Sequence, residues 1–151
     1  MAATREARAI WKGDLNGSGE VSAVSSGRFD ALPVSWAART EAPGGKTSPE
    51  ELLAAAHASC FAMAFSAGLG KKGTPAERLD VTAKVTFDKL ADIWTVISSE
   101  LEVTGVVPGS DAETFAQEAE RAGNDCPISR ALRGVKVSVK AKLAERSEAR
   151  A

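Results

Sequence analysis

The sequence predicts an α+β protein whose elements run βββ-α-ββ-αα-β. Three observations carry that expectation. The apolar pattern switches between a period of two and a period of 3.6, one helix start shows a full set of capping residues, and the final strand alternates without a break. The strands are expected to be mostly antiparallel, in one sheet of six around a long, buried central helix. A single domain is expected over residues 1–151, with its core at about 7–143 and a polar tail, 144–151, that frays.

Residues 6–12, 19–25 and 28–34 read as three short strands punctuated by Gly13, Gly17, Gly19 and Gly27. The stretch from Arg39 to Thr47 reads as a loop through Pro43 and the Gly44–Gly45 pair. Ser48 then offers an N-cap, Pro49 occupies the first helical position and Glu51 completes a capping box, so a helix runs to about Gly68 or Gly70. Val81, Ala83, Val85 and Phe87 alternate with polar residues in one strand. Its partner, at about 93–104, places Ile93, Ile97, Leu101 and Val103 on one side. A second helix, from about Asp111 to Ala122, turns Phe115, Ala116, Ala119 and Ala122 inward. Cys126-Pro127 starts a short third helix that Gly134 stops, and Val135, Val137, Val139, Ala141 and Leu143 alternate with lysines and serine in the last strand.

Composition narrows the function. The chain has 151 residues, 19 Lys and Arg against 20 Asp and Glu, and a net charge of -1, which excludes the basic stripe of a nucleic-acid binder. From Leu52 to Gly70 no charged residue occurs, a length that reaches a spanning helix. His57, Ser59, Ser66, two glycines and many alanines make it a poor membrane segment, and a buried helix of a soluble protein is expected instead. The opening MAATREARAI has no apolar run behind its arginines, and two cysteines without an export signal suit a reducing, cytoplasmic setting.

The candidates for chemistry are Cys60, Cys126, His57, Glu50 and Arg39. Cys60 sits mid-helix, where a small core hydrophobe is the ordinary role of cysteine. Cys126 stands at a helix N-cap, where unpaired N–H groups favour a thiolate, so local electrostatics points to Cys126 as the activated thiol. His57 precedes Cys60 by three residues and shares its helical face. That spacing allows a Cys–His pair, but a hydrogen-bonded core histidine is the expected role. Two cysteines and one histidine lack the close pairing of structural zinc, so no metal site is expected. Glu50 stabilises a first helical turn and Arg39 serves as a surface charge unless something links them to a cysteine.

Residues 47–66, TSPEELLAAAHASCFAMAFS, resemble the signature of the OsmC/organic hydroperoxide resistance family. CPISRAL, residues 126–132, is similar to that family's second motif, and Ile10-Trp11-Lys12-Gly13-Asp14 fits its start. The similarity spans about residues 7–143. His-Ala-Ser-Cys-Phe at 57–61 and Arg39 just before the Gly-Lys-Thr-Ser-Pro-Glu-Glu-Leu turn lean toward the OsmC branch.

The resemblance implies an OsmC-like fold in an intertwined homodimer. It also implies a thiol-dependent peroxidase acting on organic hydroperoxides, and more weakly on hydrogen peroxide, without a bound cofactor and with an external dithiol or lipoyl-type reductant. Carried over by position, Cys60 is the peroxidatic nucleophile and Cys126 resolves it. Arg39 stabilises the thiolate and the transition state, and Glu50 orients Arg39. A thiol protein of the same fold that senses or binds without turnover is the alternative. Along one helix, Glu50 and Cys60 stand about 15 Å apart by helix rise. This predicts that Glu50, with Arg39, reaches Cys60 from the partner subunit across a twofold axis, where the helix alanines allow close approach.

Overall fold

The computed structural model describes residues 1–146, so most of the polar tail, 147–151, lies outside the described residues. The chain forms two compact units, Met1–Leu52 and Leu53 onward, with the boundary inside one helix.

In the first unit, strands β1 (Ala7–Lys12), β2 (Ser18–Ala23) and β3 (Leu32–Val34) make an antiparallel sheet in that order. The β1–β2 turn needs glycine twice. Gly13 has φ +90, and a Cβ on Gly17 would lie 2.0 Å from the Lys12 carbonyl oxygen. The third strand begins four residues later than expected. The Ser22 hydroxyl donates to Asp30 and accepts from the Ala31 N–H, and Ala31 takes a left-handed φ of 51, which holds 28–31 in a turn.

The expected loop from Arg39 is also corrected. Trp36–Thr40 form a short helix, α1, capped by Ser35, whose hydroxyl accepts from the Ala38 N–H at 3.1 Å. Arg39 therefore sits on a helix. The irregular segment begins after it, and Thr47 closes it by donating its N–H to Pro33. Helix α2 (Pro49–Lys71) starts where the sequence places it, with the Glu51 N–H on the Ser48 hydroxyl. The capping box is half made, because the Glu51 carboxylate accepts from the Thr47 hydroxyl at 2.8 Å instead.

In the second unit, β4 (Arg78–Leu90) pairs antiparallel with β5 (Ile93–Val106), and β6 (Lys136–Leu143) pairs parallel with β5, in the order β4-β5-β6. There are thus two sheets of three strands rather than one of six, and β6 is parallel because two helices intervene before it. These are α3 (Ala112–Asp125), capped by the Asp111 carboxylate, and α4 (Pro127–Ala131). Phe61, Phe65 and Leu69 of α2, Leu101 and Val103 of β5 and Phe115 and Ala119 of α3 form one core. Phe65 and Phe115 meet at 4.9 Å between ring centroids, and each large buried side chain contributes roughly 1.5–3 kcal/mol.

Three expectations about packing fail in instructive ways. The β4–β5 register slips between Thr86 and Phe87, so the alternation expected of β5 breaks there; Ile93 is 69% exposed and Trp94 stacks on Phe87. Ala116 is exposed, while Glu118 is buried on α3 with its carboxylate 2.9 Å from the Lys72 ammonium. Helix α2 is long and apolar enough to cross a membrane by length and composition, yet it is not buried all round. Within the chain it buries the stripe His57, Phe61, Phe65 and Leu69, and leaves Ala55, Ser59, Met63, Ser66 and Ala67 exposed.

Candidate active site

The second unit brings both cysteines together. Residues 57, 60 and 61 fall on the inward side of α2, so Cys60 borders the buried stripe and is half-buried, whereas Cys126, between α3 and α4, is fully buried. Both are free thiols, and Cys126 neighbours the Cys60 thiol. Burial, then the neighbouring Cys126, pushes the Cys60 thiol above its usual range. The Ile128 backbone N–H, neighbouring the Cys60 thiol, opposes this. The amide at the start of α4 thus faces Cys60, and Cys126, as N-cap, makes no side-chain cap hydrogen bond. This revises the argument from the helix end. The start of the helix acts on the thiol across from it, Cys60.

His57 takes the core role expected of it. It is fully buried, with Nδ1 2.6 Å from the Ser99 hydroxyl on β5 and Nε2 2.8 Å from the Ser129 hydroxyl on α4. Both ring nitrogens are occupied, so neither serves as base to Cys60. Burial lowers the His57 pKa below its ordinary value and favours the neutral ring. Ser99 and Ser129 escaped the sequence reading, because a lone serine in a strand or a short helix carries no pattern; a buried histidine needing two partners was the available signal.

The first unit brings the other two residues together. Arg39 Nε donates to both Glu50 carboxylate oxygens at 3.0 Å, and Nη2 donates to Oε1 at 2.7 Å. Glu50 is nearly buried and Arg39 is 28% exposed, with its guanidinium carbon 5.7 Å from the Trp36 ring centre. A cavity of about 340 Å³ opens beside them, lined by Trp11, Leu15, Val34, Trp36, Arg39 and Pro49. Its walls are mainly apolar and it presents one fixed guanidinium, a setting for a molecule with an apolar body and a developing negative charge. Trp36 was missed because it fell between the strand expected at 28–34 and the loop expected from Arg39, in no assigned element. Among the described residues no cluster of three His, Cys, Asp or Glu is arranged to hold a metal ion.

The model of the OsmC-like protein family matches residues 42–140, a stretch that contains Glu50, Cys60 and Cys126. The chain belongs to the OsmC-like family. It is 38% identical to the peroxiredoxin OsmC of Escherichia coli over 134 residues, 88% of this chain and 92% of that protein. It is 33% identical to an organic hydroperoxide resistance protein-like 1 of Staphylococcus epidermidis over 97 residues, 62% of this chain and 67% of that one. Among solved structures, an organic hydroperoxide resistance protein from Elizabethkingia anophelis superposes with a TM-score of 0.69 at 25% identity, covering 97% of this chain and 100% of that one. The α+β, OsmC-like architecture expected from the sequence is the one found. Within the family frame, the two site pairs lie one in each unit: Arg39 with Glu50 in the first, Cys60 with Cys126 in the second.

Proposed function

We propose that this OsmC-like protein is a cysteine peroxidase that reduces organic hydroperoxides, with Cys60 as nucleophile and Cys126 as resolving thiol. The observation that carries the reading is that the fold makes the two free thiols neighbours. The Cys60 thiolate attacks the peroxide, the O–O bond breaks, and the product alkoxide takes up a proton to leave as alcohol while Cys60 becomes a sulfenic acid. The Cys126 sulfur then displaces the hydroxyl as water and closes a disulfide, which an external dithiol, of the lipoyl type among others, reduces. No bound cofactor takes part.

A thiol pushed upward by burial reacts slowly, so the mechanism needs a cation. Arg39, held by Glu50, supplies it in this proposal, steadying the thiolate and the charge that develops on the peroxide oxygen. We place that arginine and glutamate on the partner subunit of a homodimer. Supporting this, the exposed face of α2 includes Ala55, Met63 and Ala67, small or apolar residues that suit cover by a second copy. Ala62, Met63 and Ala67 also border an open hollow of about 530 Å³ against the start of β4.

Stopped-flow mixing of the reduced protein with cumene hydroperoxide tests the reading. Wild type should consume it and yield one Cys60–Cys126 disulfide by mass spectrometry. Cys60→Ser should be inert, and Cys126→Ser should stop at a sulfenic acid that dimedone traps. Labelling of Cys126 in the Cys60→Ser protein at full rate would reverse the roles. The raised Cys60 pKa favours one second reading, a thiol protein that is oxidised slowly and signals rather than turns over; slow, stoichiometric consumption with every dithiol tried would select it.

A further inference from the structure

We propose that His57 is a positioning residue for disulfide closure, fixing the first turn of α4 so that Cys126 meets the oxidised Cys60. The inference rests on the peroxidase reading above and adds a residue to it.

The imidazole joins three elements. It rises from α2 three residues before Cys60, about 4.5 Å along the axis, and holds Ser99 of β5 at 2.6 Å and Ser129 of α4 at 2.8 Å. Ser99 is fully buried and Ser129 is 9% exposed, so these bonds meet little competition from water. The segment they secure is a short one, tied to the end of α3 by the Cys126 N–H on the Ala122 carbonyl at 2.9 Å and packed on the core through Cys126 and Ile128. Helix α4 has five residues, its N-cap Cys126 makes no side-chain cap bond, and Pro127 has no N–H to give. That same turn carries Cys126 and Ile128, whose thiol and amide neighbour the Cys60 thiol. A residue one turn from the nucleophile therefore sets where the resolving thiol stands.

Closure is the step that depends on this placement. The Cys126 sulfur must approach the Cys60 sulfur in line with the departing hydroxyl. An S–S bond forms, the S–O bond breaks, and the hydroxyl leaves as water with the proton of the Cys126 thiol. The sulfenic sulfur is reduced as the Cys126 sulfur is oxidised, so the step balances without another reactant. His57 gives and takes no proton here, because both its nitrogens are engaged by serine hydroxyls. Its contribution is orientation, and small misplacements of reacting groups carry large rate penalties.

The test compares wild type, Ser129→Ala and Ser129→Thr, each mixed with cumene hydroperoxide and quenched over time with dimedone. Mass spectrometry counts thiol, sulfenic acid and disulfide. Ser129→Ala should slow closure about tenfold relative to the first oxidation, so that trapped sulfenic acid accumulates, and Ser129→Thr, which keeps the hydroxyl, should restore the wild-type ratio. An unchanged ratio in Ser129→Ala overturns the proposal. So does an equal slowing of both steps alongside a lowered melting temperature, since the network would then only stabilise the fold. If Ser129→Ala fails to fold, the same ratio is read on Ser99→Ala, which frees the other ring nitrogen; a wild-type ratio there also overturns it. A wild type that is oxidised without forming any Cys60–Cys126 disulfide overturns the peroxidase reading itself, a result separable from the others because it appears before any substitution.

Discussion

Replacing Glu50 by Gln removes one charge from the Arg39 site and keeps its shape. Glu50 now accepts three hydrogen bonds from Arg39, at 3.0, 3.0 and 2.7 Å, from a side chain only 10% exposed. A glutamine offers one acceptor oxygen and turns an NH₂ group toward a guanidinium that can only donate. Breaking a fully buried ion pair costs about 3–5 kcal/mol, whereas an exposed pair contributes about 0–1 kcal/mol. Arg39 is 28% exposed, so water recovers part of the loss, and about 1–2 kcal/mol is expected. The same loosening should lower the second-order rate with cumene hydroperoxide by about 10–30-fold, because the guanidinium no longer waits in one place. Urea unfolding and stopped-flow rates read the two effects on one preparation. The control is Glu51→Gln, an exposed residue bonded to Thr47, which should move stability by no more than about 0.5 kcal/mol and leave the rate alone. Wild-type rate and stability in Glu50→Gln would refute the claim that this carboxylate holds the arginine for function.

Three further outcomes follow from the geometry. His57 is the chain's one histidine, so its imidazole can be followed alone by NMR, and its midpoint should fall below 6.5. Because the folded value is depressed, the unfolded chain binds the proton more readily; the stability this ring contributes is complete above about pH 6.5 and is lost as pH falls from there toward the folded value. Gly105→Ala would push a Cβ to 2.6 Å from Phe115 Cζ and 2.9 Å from Leu79 Cδ2, and should cost about 1–3 kcal/mol by urea midpoint, while Gly134→Ala, with open space around it, should change little. Met63→Glu alters a residue 68% exposed in the single chain, so it should leave a monomer unaffected; loss of dimer in sedimentation would place α2 at the interface, and an unchanged dimer would remove it.

What the sequence made legible was whatever is signalled by neighbours along the chain. Ser48, Pro49 and Glu51 stand within four residues, and α2 begins where they say; Asp111 caps α3 in the same local way. Period-two alternation gave Val81 and Ala83 one face and Leu101 and Val103 another, which the fold pairs as Val81 with Val103 and Ala83 with Leu101, and it failed past the slip at Thr86/Phe87, since a bulge reverses the faces without a marker in the residues beside it. Strand direction is absent from such a pattern altogether, so the parallel pairing of β6 with β5 was out of reach. Helix α1 was short enough to show no periodicity, although Ser35 ahead of Trp36 was a usable cap signal.

The site divides along the same line. Arg39, Glu50, Cys60 and Cys126 could be singled out because a family resemblance marks them, not because their surroundings are written nearby. The roles of His57 and Glu118 depend on partners 72 and 46 positions away, Ser129 and Lys72, and no local rule supplies them. The cysteines show why this matters for mechanism. Reading Cys126 as the activated thiol rested on its place at a helix start. It assumed, however, that the helix serves its own cap. In the fold the Ile128 amide lies by Cys60 and opposes the rise that burial causes there, so the state of the Cys60 thiol becomes a question of where that helix is held.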